Sequence, residues 1–527
     1  MDTWWTFPYP SQRMPVLADN VVATSQPLAA QAGLRILEQG GNAVDAALAA
    51  AVTLTVVEPT GNGLGSDAFA LVWDGEKLHG LNGSGHSPQA WNRKRFQGLD
   101  RMPIQGWDAV TVPGAVRAWH DLSQRFGNLP FADLFEPAIR YARDGFLVSP
   151  FIAGQWAAVS GQHANNPEFA ATFLPYGRPP RSGERFTNVD LASSLELLAQ
   201  THGQALYQGE LAERLVGQAR KQGGAIRLSD LADHASTWVD PIGIDFQDWR
   251  VQEIPPNGQG LAALMALGIL DILEVGRWPV DSAQAVHHQV EAMKAAFAEV
   301  QAHVADPRTM SRPVEHFLAP GLLKELARSI RPDRASRPVS RLPDNGGTVY
   351  LTAADAQGRM ISFIQSNYMG FGSGVVIKGT GVSLQSRGSG FVLDPAHPNC
   401  VDGGKRPFHT IIPGLATKGG RPVLSFGVMG VHMQPQGHVQ VLQRMKIWNQ
   451  NPQTALDAPR WQVNPDYSLA LEPGLGACIG SELAELGHEL VSDPPAFLFG
   501  GGQIIHRLES GYAAASDPRK DGQAVGV

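Results

Sequence analysis

Hydrophobic and polar positions along the chain fall into a few clearly periodic stretches. Residues 27–38 carry apolar side chains at helical spacing behind Pro27, and Gly40-Gly41 follow as a stop, which predicts a helix. Asn42 can then cap a second helix running to about Val56. That helix is Ala-rich and apolar nearly all round, so it should be buried. Phe69, Leu71 and Trp73 alternate with small residues and are followed by Asp74-Gly75 and Leu78, the pattern of a β-hairpin. From about 110 to 330 the chain reads as mostly helical, with helical spacing over 191–200, 211–222 and 283–303.

Residues 331–347 (RPDRASRPVSRLPDNGG) break this pattern, holding three Pro, four Arg and almost nothing apolar, which reads as an exposed linker. Two β-prone runs come after it, TVYLTAAD (348–355) and MISFIQS (360–366). The residues between them, Ala356, Gln357 and Gly358, suit a hairpin loop with Gly at a left-handed position. If Asp355 pairs with Arg359, Thr348 falls opposite Ser366, and Thr348, Tyr350 and Thr352 share a face with Ser366, Ile364 and Ser362. Two hydroxyls then meet at the start of a strand, directly after Gly346-Gly347.

A Gly–Thr bond in this setting can cleave itself. The Thr hydroxyl attacks the preceding carbonyl, the acyl group shifts from N to O, and water hydrolyses the ester. Gly on the acyl side tolerates unusual backbone angles and leaves the carbonyl unshielded. The cut would free an α-amino group on Thr348 with a pKa of about 7.7–8.0. That amine can act as base for the hydroxyl of the same residue, so one residue supplies nucleophile and base.

Composition narrows the alternatives. The 527 residues are 43% hydrophobic, enough for a large core, and the length allows about three domains or one large α/β body. A net charge of −7 argues against nucleic-acid binding. Cys400 and Cys478 allow at most one disulfide. The apolar run 46–57 is too short to span a bilayer, and the opening MDTWWTFPYPSQRMP lacks the pattern of a signal peptide, so a cytoplasmic protein off the membrane is expected. Gly61, Gly63 and Gly65 do not have dinucleotide-loop spacing and follow a helix rather than a strand. His287-His288 are neighbours on a helix and point apart, and no other His/Cys cluster has ligand spacing, so neither metal nor cofactor is expected. Trp4, Trp5 and Phe7 form an aromatic arm that could pack on the body or on a partner.

Several separated blocks occur in one order: GGNAVDAALAAAVTLTVVEPTGNGLGSDAFALVW (40–73), ALYQGELAERLVGQARKQGGAIRLSDLADH (205–234), VEAMKAAFAEVQAHVADP (290–307), TVYLTAADAQG (348–358), KRPFHTIIP (405–413) and ASDPR (515–519). In these blocks the chain resembles the γ-glutamyltranspeptidase family of N-terminal-nucleophile hydrolases. The resemblance implies a four-layer αββα fold (class α/β) made as one precursor. Self-cleavage between Gly347 and Thr348 would give a large chain, 1–347, and a small chain, 348–527, that stay associated as one αββα unit; a dimer of such heterodimers is left open.

The resemblance also assigns roles. Thr348 matches the nucleophile, and Ser366 matches a threonine whose hydroxyl bonds it. The family's oxyanion hole of two glycine N–H groups falls on Gly430 and Val431 in SFGVMGV, and a backbone donor survives the side-chain change. The substrate positions depart. An Arg that grips the glutamyl α-carboxylate is matched by Ser84, and acidic residues that hold its α-amine are matched by Ser389 and Gly390. Arg387 stands at a Glu/Gln position, Tyr368 at an Asn, and His409 and Thr410 at two adjacent serines. Lost acceptors disfavour an ammonium group, whereas Arg387 offers a planar fork for a carboxylate. The expected substrate is therefore a small amide with a carboxylate and no α-amine, most like that of the family's oxamate-hydrolysing members. Alternatives are a γ-glutamyl or β-lactam side-chain amide, with Arg93 or Arg95 replacing the missing Arg, and an uncleaved, inactive scaffold.

Overall fold

Strand alternation sorts most buried apolar residues of this chain into three cores, one between the two sheets and one on the outer face of each. The computed structural model describes residues 5, 7, 9, 11–337 and 347–527; the 338–346 part of the linker, Gly346 included, and Trp4 of the aromatic arm lie outside them. Two antiparallel sheets of seven strands make the centre. One runs, edge to edge, Gln523–Gly526, Val21–Thr24, Gly347–Ala354, Met360–Tyr368, Asp67–Trp73, Leu78–Gly83 and Thr237–Val239. The other runs Val16–Ala18, Tyr512–Ser516, Gly501–Arg507, Arg421–Met429, Gly414–Lys418, Trp249–Glu253 and Ile242–Phe246.

Phe69, Leu71, Tyr350 and Ile364 of the first sheet meet Leu415, Met429, Ile505 and Ala514 of the second in a core between the sheets. The alternate residues of the first sheet, such as Ala70, Leu351 and Phe363, face the helix Ala43–Val57 and its neighbours. Val251, Phe426 and Val428 of the second sheet face Gly260–Ile272 and Ala283–His303. The layers are thus α, β, β, α, as the family resemblance implied.

The helix Pro27–Glu38 has the bounds read from the sequence, and Asn42 caps Ala43–Val57 in a capping box with Asp45. Every residue of the second helix is buried, and its alanines let it lie close against the sheet. The hairpin of Asp67–Trp73 with Leu78–Gly83 and the helices Val189–Gln200, Glu210–Lys221 and Ala283–His303 also form. The mostly helical reading of the middle region needs a correction. Thr237–Val239, Ile242–Phe246 and Trp249–Glu253 are strands that end one sheet and begin the other. The first two are edge strands with half-buried residues, so their alternation is weak.

Both sheets draw strands from either side of the Gly347–Thr348 bond, so two chains cut there would remain interleaved. No helix among the described residues is long and apolar enough to cross a membrane. Trp5 and Phe7 of the aromatic arm are exposed.

Candidate active site

The hairpin after the linker has the register read from its alternation. Thr352 pairs with Ser362, Tyr350 with Ile364 and Val349 with Gln365. A bulge then shifts the pairing so that Gly347 faces Tyr368, and the hydroxyls of Thr348 and Ser366 come to 3.1 Å. Ser366 Oγ donates to the Gly347 carbonyl at 2.8 Å and accepts from the Tyr368 N–H at 2.8 Å. With its one proton committed to that carbonyl, Ser366 accepts from Thr348. A single side chain therefore orients the Thr348 hydroxyl and polarises the carbonyl of the Gly347–Thr348 bond. Thr348 is only 4% exposed, and Gly347 packs on Thr60 and Gly61, where an added Cβ would lie 3.3 Å from the Thr60 carbonyl.

Tyr368, held at φ 77°, begins a second part of the site. It lines a narrow cavity with Arg387, Gly390, Phe408 and Thr410. The Arg387 guanidinium lies 4.8 Å from the Tyr368 ring centroid and gives one Nη1–H to Thr410 Oγ1 at 2.8 Å. Its Nε and Nη2 are buried without a partner, and the residue is 2% exposed. Burial lowers its pKa to about 10, opposed by the negative charge of Asp67, so it stays a cation at neutral pH. Beyond Tyr368, Gly390 and Phe408 the wall continues into a cleft of about 520 Å³.

His409 was expected beside the substrate but is turned elsewhere. It is fully buried, edge-on to Phe69, with Nε2 3.2 Å from Asp67 Oδ2. Asp67 is the ladder partner of Ser366, and its Oδ1 accepts from the N–H groups of Gly85 and Gly114. Desolvation raises Asp67 to about 7 against the pull of Arg387, those two N–H groups and Arg406. Desolvation, then Arg387 and Arg406, keep His409 neutral.

Neither expected substitute for the missing Arg fills its place at Ser84. Arg95 bonds Asp108 and the Gly223 carbonyl near the surface, and Arg93 lines a separate surface cavity. Arg406 instead reaches the Ser84 carbonyl through Nε at 3.0 Å and spends its other donors on Thr237 and Ala235. Ser84 itself bonds Asn82, and Ser389 bonds the Ser386 carbonyl. Sequence reading missed Asp67 and Arg406, although both lie in quoted blocks. Only the fold puts them beside Ser366 and Ser84.

Gly430 and Val431 close the strand Arg421–Met429 at φ 129° and 52°. The second value is costly for a β-branched residue. That strand crosses above the Thr348 strand: Thr352 Oγ1 meets Ser425 Oγ at 2.6 Å, and Gly427 packs on the Tyr350 ring. Gln259 ties the Gly430–Val431 turn to the segment holding Thr410, donating to the carbonyls of both Val431 and Thr410.

Comparison with known proteins gives the family. The γ-glutamyltranspeptidase family model matches residues 29–527. The chain belongs to the γ-glutamyltranspeptidase family. A glutathione hydrolase-like YwrD proenzyme of Bacillus subtilis is 36% identical over 96% of this chain and 98% of its own length. An oxamate amidohydrolase proenzyme of Klebsiella pneumoniae is 36% identical over 95% of this chain and 97% of its own. Among solved structures, a cephalosporin acylase from Bacillus halodurans superposes with a TM-score of 0.95 at 45% identity, covering 100% of this chain and 99% of that one. As a member of the γ-glutamyltranspeptidase family the chain is an enzyme that hydrolyses amide bonds.

One cluster outside this site has metal-binding residue types. His287, Glu291 and His488 bring ligating atoms within 4.8 Å of one another, a grouping that sequence spacing did not reveal. Most of their donors and acceptors are engaged: His287 with the Arg331 carbonyl and His488 Nε2, and Glu291 with Lys294 Nζ at 3.0 Å and the Ser336 N–H, while His488 Nδ1 is buried without a partner. The Lys294 ammonium already supplies the cation that Glu291 needs. His288 stacks on Trp278 and lies edge-on to His287, with ring centroids 5.2 Å apart, but brings no ligating atom to the group.

Proposed function

We propose that this chain cuts itself between Gly347 and Thr348 and then hydrolyses a small amide bearing a carboxylate but no α-amine, with oxamate as the simplest candidate. The observation that carries the reading is the buried Arg387, whose Nε and Nη2 have no partner where the guanidinium borders the cavity beside Tyr368. A carboxylate would satisfy both donors, and the residues lining that cavity offer no acid to hold an ammonium group. The oxamate amidohydrolase among the relatives is consistent with this choice.

Thr348 Oγ would attack the amide carbon while the Thr348 amine takes the hydroxyl proton. The N–H groups of Gly430 and Val431 would stabilise the oxyanion. The amine then protonates departing ammonia, leaving an oxalyl ester on Thr348. Water, activated by the same amine, cleaves that ester to oxalate and restores the hydroxyl.

Replacing Ser366 tests the processing step. Ser366→Ala removes both the orienting bond to Thr348 and the bond that polarises the Gly347 carbonyl. At about 1 kcal/mol or more for each bond, self-cleavage should slow by about tenfold to a hundredfold, as followed on denaturing gels. Ser366→Thr, which keeps the hydroxyl, should process.

The adjoining cleft of about 520 Å³ favours a second reading, an acylase for a carboxylate-bearing amide of a larger amine. The cephalosporin acylase similarity agrees with it. Product release from oxamate, glutamine, a γ-glutamyl anilide and an acylated cephalosporin nucleus would be compared at equal concentration. Preference for the α-amino substrates would end the Arg387 account, whereas preference for the cephalosporin amide would select the second reading.

A further inference from the structure

Asp67 places a carboxylate in a buried site whose proposed ligand is itself an anion, and hydrolysis alone does not explain it. Asp67 and His409 are both wholly buried and in contact at 3.2 Å. The Ile411 N–H points at His409 Nδ1 at 3.4 Å, so Nδ1 accepts and Nε2–H donates to Asp67. The other groups acting on Asp67 come from each surrounding element. They are Arg387 from the 387–390 turn, Arg406 from the segment before His409, the Gly85 and Gly114 N–H groups, and the Tyr207 hydroxyl farther off. Arg406 is itself balanced in part by Asp306.

With Asp67 ionised and His409 neutral, Asp67 is the anion that faces both Arg387 and Arg406. A substrate carboxylate brought to Arg387 would set a second negative charge near Asp67 in a desolvated site, where like charges raise the affinity for a proton. Adding a proton to the pair removes that repulsion. We propose that the Asp67–His409 pair is a proton-linked gate on the carboxylate site, so that an anionic acyl group binds beside Arg387 together with one proton taken up by the pair. This rests on reading Arg387 as the carboxylate clamp. Asp67 acts through Arg387 and is a gating residue, not a catalytic one. Its elevated pKa means that the proton is taken up near neutral pH rather than under acid conditions.

Calorimetric titration of the processed enzyme with oxalate, the product of the oxamate reaction, tests the gate without turnover. At pH 8, in two buffers of different ionisation heat, wild type should take up about one proton per oxalate, and affinity should fall by about tenfold per pH unit above the pair's pKa. Asp67→Asn should bind oxalate with no proton uptake and no such pH dependence. Wild-type binding without uptake, lost in Arg387→Ala, overturns the gate and leaves the clamp standing. Uptake that persists in Asp67→Asn belongs to another group, such as the Thr348 amine, and also overturns the gate. Failure of wild type to bind oxalate overturns clamp and gate together. If Asp67→Asn does not fold, wild type labelled with 13C-aspartate and 15N-histidine decides instead: a buried carboxyl or imidazole resonance that moves to its protonated position on adding oxalate supports the gate, and uptake without such a change overturns it.

Discussion

Thr348→Ala should leave one full-length chain without measurable amidase activity. The variant removes the hydroxyl that Ser366 orients toward the Gly347 carbonyl, so the bond has no internal attacker. It also prevents release of the α-amine that serves as base, so nucleophile and base disappear together. Groups that act as a unit fail as a unit, and activity should drop by about four orders of magnitude or more. Circular dichroism should match wild type, because the methyl side chain of Ala fits a strand already packed on both faces. Thr348→Ser keeps the hydroxyl and should both process and hydrolyse, though more slowly. Processing in Thr348→Ala would show that cleavage has another nucleophile.

Arg387→Ala should strike substrate use and spare processing. The guanidinium has two unpartnered donors at the cavity, while the Thr348–Ser366–Gly347 contacts do not involve it. Removing one partner of a buried, hydrogen-bonded charge pair costs about 3–5 kcal/mol, or roughly a hundredfold to a thousandfold or more in kcat/KM for a carboxylate amide. The loss should fall mainly on KM, since the carboxylate contact is made in ground and transition states alike. Arg387→Lys should recover little, because an ammonium cannot supply the two parallel donors of the fork. Gels would check the other half of the prediction: a processing defect would mean that Arg387 supports the fold around Thr410.

The parts of the fold legible in the sequence were those with strong local periodicity. The all-apolar Ala43–Val57 helix and the hairpin from Thr348 to Ser366 could be placed from their residues alone, including the pairing that joins the two hydroxyls. The bulge beside Gly347 could not, because one extra residue leaves no mark on an alternating pattern. Thr237–Val239 and Ile242–Phe246 were lost in a helical reading because edge strands with half-buried side chains alternate weakly.

The site divided along the same line. Thr348 and Ser366 are marked by the hairpin and Arg387 only by the family resemblance, and the structure brings Arg387, Tyr368 and Thr410 to one cavity. His409 lies in that neighbourhood but turns to Asp67, a contact between residues hundreds of positions apart that only sheet packing creates. His287 and His488 likewise meet across the fold, with nothing in either local segment to announce it.

Intact mass spectrometry with amino-terminal sequencing of the active protein tests the central claim most directly. Two chains, the smaller beginning at Thr348, are the predicted result. A fully active preparation made only of the uncut polypeptide would contradict it.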